Sequence, residues 1–452
     1  MNPATQSDDP ALGAQPLLIE AAGVADANRS IDGPASVLLS AEGAVLAAGS
    51  RHEVEHHEAA VAARRFMRPE SVIVPGFVNA HTHLDLTSIG PRPFDPEIGF
   101  GEWLARMSAD RPSDAAQRRA SADLGTKLSR RAGVVALGDI AGSHRGRARP
   151  ESAQAMAAGG LIGVSYAEFF AIGNDFNTGL AGLDVALSAW PAGPTVGVSP
   201  HAPFTVEPRA VEDVIAKGHP LLIHLAESLD ERTFVEYGTG PIRSMLDDFS
   251  MLGAELPAGY AAGAHPIELF ASVVRKATES GLGVLLAHCN DVPNDELLEV
   301  LASTRASVAY CPRGHADFRR EDQLGPHRYR DMLDAGINVC LGTDSIVNLG
   351  PRPELPGSDP LGAHGMGPLD DMRLLFRRDG ADAFTLLDMA TRRGAVALGL
   401  DPDRVVIRDG VFPLGLVAVP VDDATQNRPV VHRILRSEAP PEPIDIGRNA
   451  AR

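Results

Sequence analysis

Short apolar segments alternate with amphipathic segments through the middle of the chain. Near-continuous apolar runs are typical of parallel strands buried on both faces, and the segments between them have the periodicity of helices. Eight strands are predicted, at residues 77–83, 134–139, 161–168, 195–199, 221–227, 283–288, 307–311 and 338–344. Helices are predicted between and after them, for example at 114–131, 178–189, 207–217, 267–280, 294–304 and 382–398.

This alternation predicts an α/β protein. Eight parallel βα repeats close naturally into a (βα)8 TIM barrel, and a doubly wound open sheet is the alternative. The open sheet is disfavoured because His-Thr-His, at residues 81–83, follows the first strand where a nucleotide-binding fold would place a glycine-rich phosphate loop.

Both ends of the chain contain shorter segments of β-like pattern. Near the N-terminus these are LLIEAAGVAD, SVLLSAEGAVLAAG with Gly43 as a hairpin candidate, and SVIV. Near the C-terminus, VVIRDGVFPLGLVAVPV and PVVHRILR have the same pattern. We therefore expect the two ends to pair into one small sheet beside the central domain.

The composition restricts the partners. Of the 452 residues, 44% are hydrophobic and 22% are charged, which is typical of folded globular proteins. The formal net charge of −18 would repel nucleic-acid polymers and anionic membranes, so a small-molecule substrate is expected. The N-terminal residues lack the pattern of a signal peptide, and no apolar run reaches the length of a membrane span.

The cysteines indicate a reducing compartment. Cys289, Cys311 and Cys340 are odd in number, widely spaced and set in apolar runs, which favours free thiols over a disulfide framework. The cytoplasm is the expected location. Assembly into a homo-oligomer is left open by the sequence.

Polar side chains recur at the carboxyl ends of the predicted strands, where barrel enzymes build their active sites. His81 and His83 are two residues apart, so on a strand both imidazoles project from one face. With His224 and Asp344 they make three neutral nitrogens and one carboxylate, a set suited to zinc or ferrous iron. These four residues are the predicted ligands of one divalent metal ion.

Each of these residues also has a purely structural interpretation. His224 alone could be a core histidine that bonds a carbonyl group, and Asp344 alone could cap the segment after it. Four such residues at strand ends favour a metal, because buried polar groups need partners and an ion supplies them all at once.

Glu227 lies three residues after His224, so on a continuous strand its side chain would point to the opposite face. A loop position beyond the strand end would instead let its carboxylate reach over the metal and move protons. A surface glutamate is the alternative. His288 closes the sixth predicted strand and His201 follows the fourth, and both are candidates for roles in the site.

A second metal in such a barrel usually needs a bridging ligand, often a modified lysine at a strand end. The three lysines, Lys127, Lys217 and Lys276, all lie in predicted helices. A mononuclear site is therefore favoured. Glu168 and Asp139, at other strand ends, are weak substitutes for such a bridge.

Together these segments resemble the amidohydrolase superfamily, within its branch of aromatic-amine deaminases and chlorohydrolases. The matching segments, in family order, are PGFVNAHTHLDLT, SPHAPFTV, LLIHLAES, LLAHCNDV, VAYCPRGH and LGTDS. The resemblance implies a distorted (βα)8 barrel with a small β-sandwich built from both termini. The implied organisation is a polar tail at 1–16, a composite β-sandwich at 17–76 and 400–440, and a metal-dependent hydrolase barrel at 77–399.

The resemblance also implies roles for individual residues. It makes His81, His83, His224 and Asp344 the metal ligands. It makes Glu227 the proton shuttle, with Asp344 also accepting a proton from water, His288 a group that orients or polarises the attacked centre, and His201 a substrate contact. Gly314 and His315 follow Arg313 where relatives often have Ser-Asn, so the chain departs from the family pattern at a position linked to nucleoside recognition.

A long segment at 84–110 follows the first strand and contains Phe94, Phe100 and Trp103. Long loops are often functional, so an aromatic lid that stacks on a planar substrate is one hypothesis, and packing of the loop onto the barrel is the other. Trp103 is the residue of this loop predicted to contact substrate. Polar substrate groups could be bound by Arg313, His315 and Arg352.

The predicted activity is metal-dependent hydrolysis of a non-peptide C–N bond, with deamination of an amino-substituted heterocycle or nucleoside as the first interpretation. Zinc is the expected ion, and iron(II) suits the same ligands. Hydrolysis of a cyclic or acyclic amide is an alternative enzyme activity. A catalytically silent barrel with a structural metal is the non-enzyme alternative, which an intact Glu227 disfavours.

Overall fold

The fold is taken from a computed structural model, which describes residues 15–142, 149–349, 365–422 and 427–446. The expected polar tail lies outside the described residues except for its last two positions. Arg352 lies outside them as well.

The described residues form fourteen strands and seventeen α-helices. The strands are β1 Leu17–Ala25, β2 Ser30–Leu39, β3 Val45–Ser50, β4 Arg64–Pro75, β5 Phe77–Thr82, β6 Val134–Ala141, β7 Ile162–Phe169, β8 Thr195–Pro200, β9 Leu221–Leu225, β10 Val284–His288, β11 Ser307–Tyr310, β12 Val339–Leu341, β13 Leu416–Pro420 and β14 Glu442–Ile444.

The helices surround the central strands or connect elements at the barrel ends. They are α1 Arg51–Glu55, α2 Gly99–Asp110, α3 Ala115–Arg131, α4 Glu151–Ala158, α5 Phe176–Ser188, α6 Pro208–Ile215, α7 Leu229–Tyr237, α8 Pro241–Asp248, α9 Pro266–Glu279, α10 Asp295–Ser303, α11 Pro312–Asp317, α12 Arg320–Leu324, α13 Tyr329–Asp334, α14 Leu369–Asp379, α15 Ala383–Met389, α16 Arg392–Ala397 and α17 Val430–Arg436. Short 3-10 helices lie at Glu58–Ala60, Leu84–Ile89, Gly173–Asp175, Ile346–Asn348 and Pro402–Val405.

The strands β5 to β12 form one parallel sheet in sequential order. A parallel bridge between Thr82 and Asp344 brings the last strand back to the first. Sequential order and near closure are properties of a barrel, whereas a doubly wound sheet reverses its strand order. The predicted (βα)8 barrel is therefore confirmed, and the open sheet is wrong.

A second sheet combines both ends of the chain, as expected. Its order is β14-β13-β4-β1-β2-β3, and its pairs are antiparallel except for the parallel pair β1 and β4. Gly43 has a φ of 92° in the turn between β2 and β3, a backbone conformation that favours glycine. Only Gly76 separates β4 of this sheet from β5 of the barrel. The division of the chain into domains at the expected boundaries stays a prediction.

Two details of the expected secondary structure are wrong. The segment PVVHRILR forms α17 and not a strand, because Val430, Val431 and Ile434 share one buried helix face. The long helix expected at 382–398 is divided into α15 and α16 at Thr391, whose φ of −133° and ψ of −91° are not helical.

The described part of the chain has no helix that is both long and apolar enough to span a membrane. All three cysteines are buried and form no disulfide bond.

The close approach of β5 and β6 depends on a glycine. A Cβ atom added at Gly138 would lie 2.1 Å from the carbonyl oxygen of Ala80, which is next to His81. At Gly283, the nearest atom to an added Cβ atom would be Cβ of Pro220 at 3.9 Å, an ordinary contact.

We predict that Gly138→Ala lowers the free energy of unfolding by about 1–3 kcal/mol, because the methyl group must displace a backbone carbonyl. Urea unfolding followed by circular dichroism measures this. Gly283→Ala is the matched control, which should change the free energy by less. Equal stability of the two variants would contradict the close approach of β5 and β6.

Candidate active site

Five buried polar side chains meet at the carboxyl end of the barrel. His81 and His83 come from the end of β5, His224 from β9, His288 from β10 and Asp344 from the turn after β12. The Nε2 atoms of His81 and His83 lie 3.7 and 3.4 Å from Oδ1 of Asp344. One ligand atom from each of His81, His83 and Asp344 lies within 4.8 Å of the others, and the same holds for His81, His224 and His288.

These distances fit a single cation. Two ligand atoms about 2.1 Å from one ion lie at most about 4.2 Å apart, so both distances to Asp344 allow a shared ion. Both ring nitrogens of His81 and the Nδ1 atom of His83 are buried without a hydrogen-bond partner. Buried polar atoms without partners are destabilising, and a metal ion can bind such ring nitrogens. The residues present therefore fit a divalent metal.

Backbone and side-chain contacts orient the predicted ligands. The Nδ1 atom of His224 lies 2.9 Å from the carbonyl oxygen of His201, which can only accept a hydrogen bond. The proton of neutral His224 is therefore on Nδ1, and Nε2 is free to bind a metal. Asp344 accepts hydrogen bonds from the Asn348 side chain at 2.6 Å and the Ser345 backbone at 2.8 Å.

The charge states suit metal binding. Burial lowers the pKa of His224 and His288 to about 3, so both are neutral near pH 7. Burial alone would raise the pKa of Asp344, but the adjacent imidazoles of His81, His288 and His83 hold it well below its usual range. His224 and His288 thus present neutral nitrogens beside the Asp344 carboxylate.

The backbone is strained where these side chains are presented. Ala226, His288, Cys289 and Asp344 have φ values of 52°, 75°, 48° and 57°, a region that non-glycine residues rarely adopt. Such conformations persist where the surrounding structure holds them, and they concentrate at functional sites. Here they turn the chain at three strand ends toward one point.

Glu227 lies beyond the end of β9, where the sequence places it. Its backbone N–H donates to Oε2 of Glu231 at 2.9 Å, and its carbonyl accepts from Asn290 at 3.0 Å. Its Oε1 atom accepts a hydrogen bond from Nη2 of Arg320 at 3.4 Å. Burial raises the pKa of Glu227, and the Arg320 guanidinium opposes that rise.

A cavity of about 210 Å³ opens above this centre, with Glu227, His288 and Asp344 among its lining residues. Trp103 and His201 also line it, and their roles as substrate contacts stay predictions. The apolar walls are formed by Leu86, Phe100, Leu104, Met107, Phe170, Phe204, Met245, Phe249, Met251, Phe318 and Val347.

Of the loop aromatics, Phe100 and Trp103 line the cavity, while Phe94 packs against Phe318 with ring centroids 5.5 Å apart. The loop is thus both packed onto the barrel and part of the cavity wall.

Two expected substrate contacts are not brought to the cavity. Arg313 is bound to the Asp371 carboxylate at 2.8 and 3.0 Å and to the carbonyl groups of Gly365 and Gly367. His315 is buried, and its Nδ1 atom lies 3.1 Å from Oδ1 of Asn290. His315 therefore supports the residue that binds the Glu227 carbonyl and does not face the cavity.

Sequence reasoning missed Glu231, Asn290, Asn348 and Arg320. A signal existed for Glu231 because Ser228-x-x-Glu231 is the pattern of a capped helix start, and Ser228 does cap α7. The Glu231 carboxylate accepts hydrogen bonds from the backbone N–H groups of Ala226 and Glu227, both at 2.9 Å.

Comparison with known proteins gives consistent matches. The profile of the amidohydrolase family matches residues 72–407. A 5-methylthioadenosine/S-adenosylhomocysteine deaminase of Pelotomaculum thermopropionicum is 28% identical over 73% of this chain and 68% of its own length. An aminodeoxyfutalosine deaminase of Deinococcus radiodurans is 30% identical over 72% of this chain and 78% of its own length. A solved adenosine deaminase of Xanthomonas campestris with bound zinc has a TM-score of 0.62 at 18% identity, covering 93% of this chain and 89% of its own.

We predict that His81→Ala lowers the metal content of the purified protein and its activity together, because it removes a predicted ligand whose ring nitrogens have no hydrogen-bond partner. Metal per chain is measured by plasma mass spectrometry. His52→Ala, at an exposed histidine of α1, is the control and should keep the wild-type content. Full metal occupancy in His81→Ala would remove His81 from the ligand set.

Proposed function

The chain belongs to the amidohydrolase family, and on that premise we propose that it removes the amino group from the purine ring of an adenosine-type nucleoside. It is a hydrolase of carbon–nitrogen bonds other than peptide bonds. The observation that carries the proposal is a cluster of candidate metal ligands beside Glu227, whose side chain is 12% exposed, at the base of an aromatic cavity. The matched deaminases of methylthioadenosine and aminodeoxyfutalosine support a nucleoside substrate.

His81, His83, His224 and Asp344 are the proposed ligands of one divalent ion. Nitrogen and carboxylate ligands suit zinc, and a structural neighbour with bound zinc supports that choice; iron(II) suits the same ligands. When bound, such an ion lowers the pKa of a water molecule from 15.7 to about 7, which supplies a nucleophile at neutral pH.

The remaining chemistry belongs to side chains. The Glu227 carboxylate and Asp344 take protons from the attacking water, and Glu227 delivers a proton to the nitrogen that departs. His288 lies beside the same centre and orients the attacked carbon. Overall, one water is consumed and one ammonia is released.

The cavity walls bind the ring and limit access of water. Phe100, Trp103 and Phe318 present aromatic surfaces on which a planar purine can stack. His201 offers a polar contact in the cavity wall, where its ring centroid lies 4.8 Å from that of Phe170 and 5.2 Å from that of His224. The buried free cysteines support a reducing compartment, and we propose the cytoplasm.

We predict that the metal-replete protein releases ammonia from adenosine-type nucleosides and not from aminopyrimidines or guanidino compounds, because the cavity is aromatic and extends beyond the metal. A coupled ammonia assay across these three classes tests this. Release of a carboxylate from a cyclic amide, without ammonia from any nucleoside, would favour the amide hydrolase. Inactivity of a metal-replete sample on all classes would favour a silent barrel.

We predict that Glu227→Gln lowers turnover by about a hundredfold or more while metal content stays near that of the wild type, because the proton shuttle is lost and the ligands remain. Steady-state kinetics and metal analysis of the same sample measure both. Glu212→Gln, at a partly exposed surface glutamate paired with Lys276, is the control. Near-normal turnover in Glu227→Gln would end the shuttle role.

A further inference from the structure

Arg320 is a buried arginine whose side chain contacts the carboxylate of Glu227. Arg320 is the first residue of α12 and is 1% exposed, which makes it one of the largest fully buried side chains in the described chain. Arginine is almost never buried unless it is paired. Its polar partner is Oε1 of Glu227, 3.4 Å from Nη2, and its Nε atom is buried without a hydrogen-bond partner.

The guanidinium group is held by aromatic rings. Its Cζ atom lies 4.4 Å from the ring centroid of Phe100 and 4.7 Å from that of Phe318, both within the range of cation–π interactions. Phe100 lies in α2, within the long segment that follows the first barrel strand, and Phe318 follows α11. Trp103 completes the cluster, with its ring centroid 4.8 Å from that of Phe318.

We propose that Arg320 is a positioning residue that holds the Glu227 carboxylate in its working orientation and ties it to the aromatic cavity wall. This inference rests on the proposed role of Glu227. The backbone of Glu227 is fixed by Glu231 and Asn290, but these bonds leave its side-chain torsions free. Arg320 supplies the contact at the carboxylate itself, and the two rings fix Arg320 in turn.

The pairing also explains why a buried arginine is tolerated there. Removing one partner of a buried ion pair leaves an uncompensated charge and is strongly destabilising, whereas removing both partners is often nearly neutral. Arg320 and Glu227 should therefore be coupled in stability as well as in catalysis. These two couplings can be measured separately.

The first test is a double-mutant cycle in urea unfolding of the full-length chain with Glu227→Gln, Arg320→Met and the double variant. We expect Arg320→Met to shift the unfolding midpoint less than half as much in the Glu227→Gln background as in the wild type. Shifts that add would overturn the inference. This cycle needs no substrate, so it decides the pairing even if the proposed deaminase activity is not found.

The second test is the same cycle in turnover, with metal content measured on each sample. We expect Arg320→Met to lower kcat by tenfold or more with less than a threefold change in KM and unchanged metal. In the Glu227→Gln background the same change should alter kcat by less than threefold. Effects that multiply would show that Arg320 acts only on the overall structure.

Two further variants complete the design. Arg320→Lys keeps the charge and should recover part of the kcat lost in Arg320→Met; no recovery would contradict a role for the charge. Arg320→Lys also replaces Arg320→Met in both cycles if the latter does not fold, with smaller shifts of the same sign expected. Arg330→Met is the control. Arg330 is exposed, and its Cζ atom lies 5.6 Å from the ring centroid of Tyr329.

Discussion

The structure depends on how buried polar groups at the barrel mouth are satisfied. Four imidazoles and a carboxylate are almost fully buried side by side, with neighbouring imidazole centroids 4.9–5.5 Å apart, and three of their ring nitrogens have no hydrogen-bond partner. Burial without partners costs free energy for each group, so an apolar cluster would be more stable in the absence of a cation. A divalent ion bound there would offset that cost, so it would stabilise the folded state as well as serve the proposed chemistry.

The rest of the fold places these groups and keeps them in position. Parallel strands bring their carboxyl ends to one edge, and left-handed residues at Ala226, His288 and Asp344 turn the chain toward the centre. A layer of contacts behind them holds the side chains proposed to be catalytic. Glu231 and Asn290 fix the backbone of Glu227, Arg320 binds its carboxylate, and Asn348 binds Asp344.

The barrel strands and the polar residues at their ends were predictable from the sequence because their signals are local. Barrel strands are apolar runs with turn residues at their ends, so their positions and the polar residues that end them could be identified directly. The contacts that hold Glu227 could not be predicted in this way. Arg320 is 93 residues away in the sequence, and an arginine in a charged segment is usually solvated. Arg313 and His315 looked like cavity residues, but Asp371 and Asn290 bind them elsewhere. In α17, a short run of Val, Ile and Leu residues fits a strand and a helix equally well, and only packing decides.

The most direct test of the account is X-ray absorption at the zinc edge on protein purified with its native metal. The account predicts about one zinc ion per chain, with nitrogen and oxygen ligands at about 2.0–2.2 Å and the multiple scattering of imidazole rings. Absence of a bound metal, or a shell of sulfur ligands near about 2.3 Å, would contradict it.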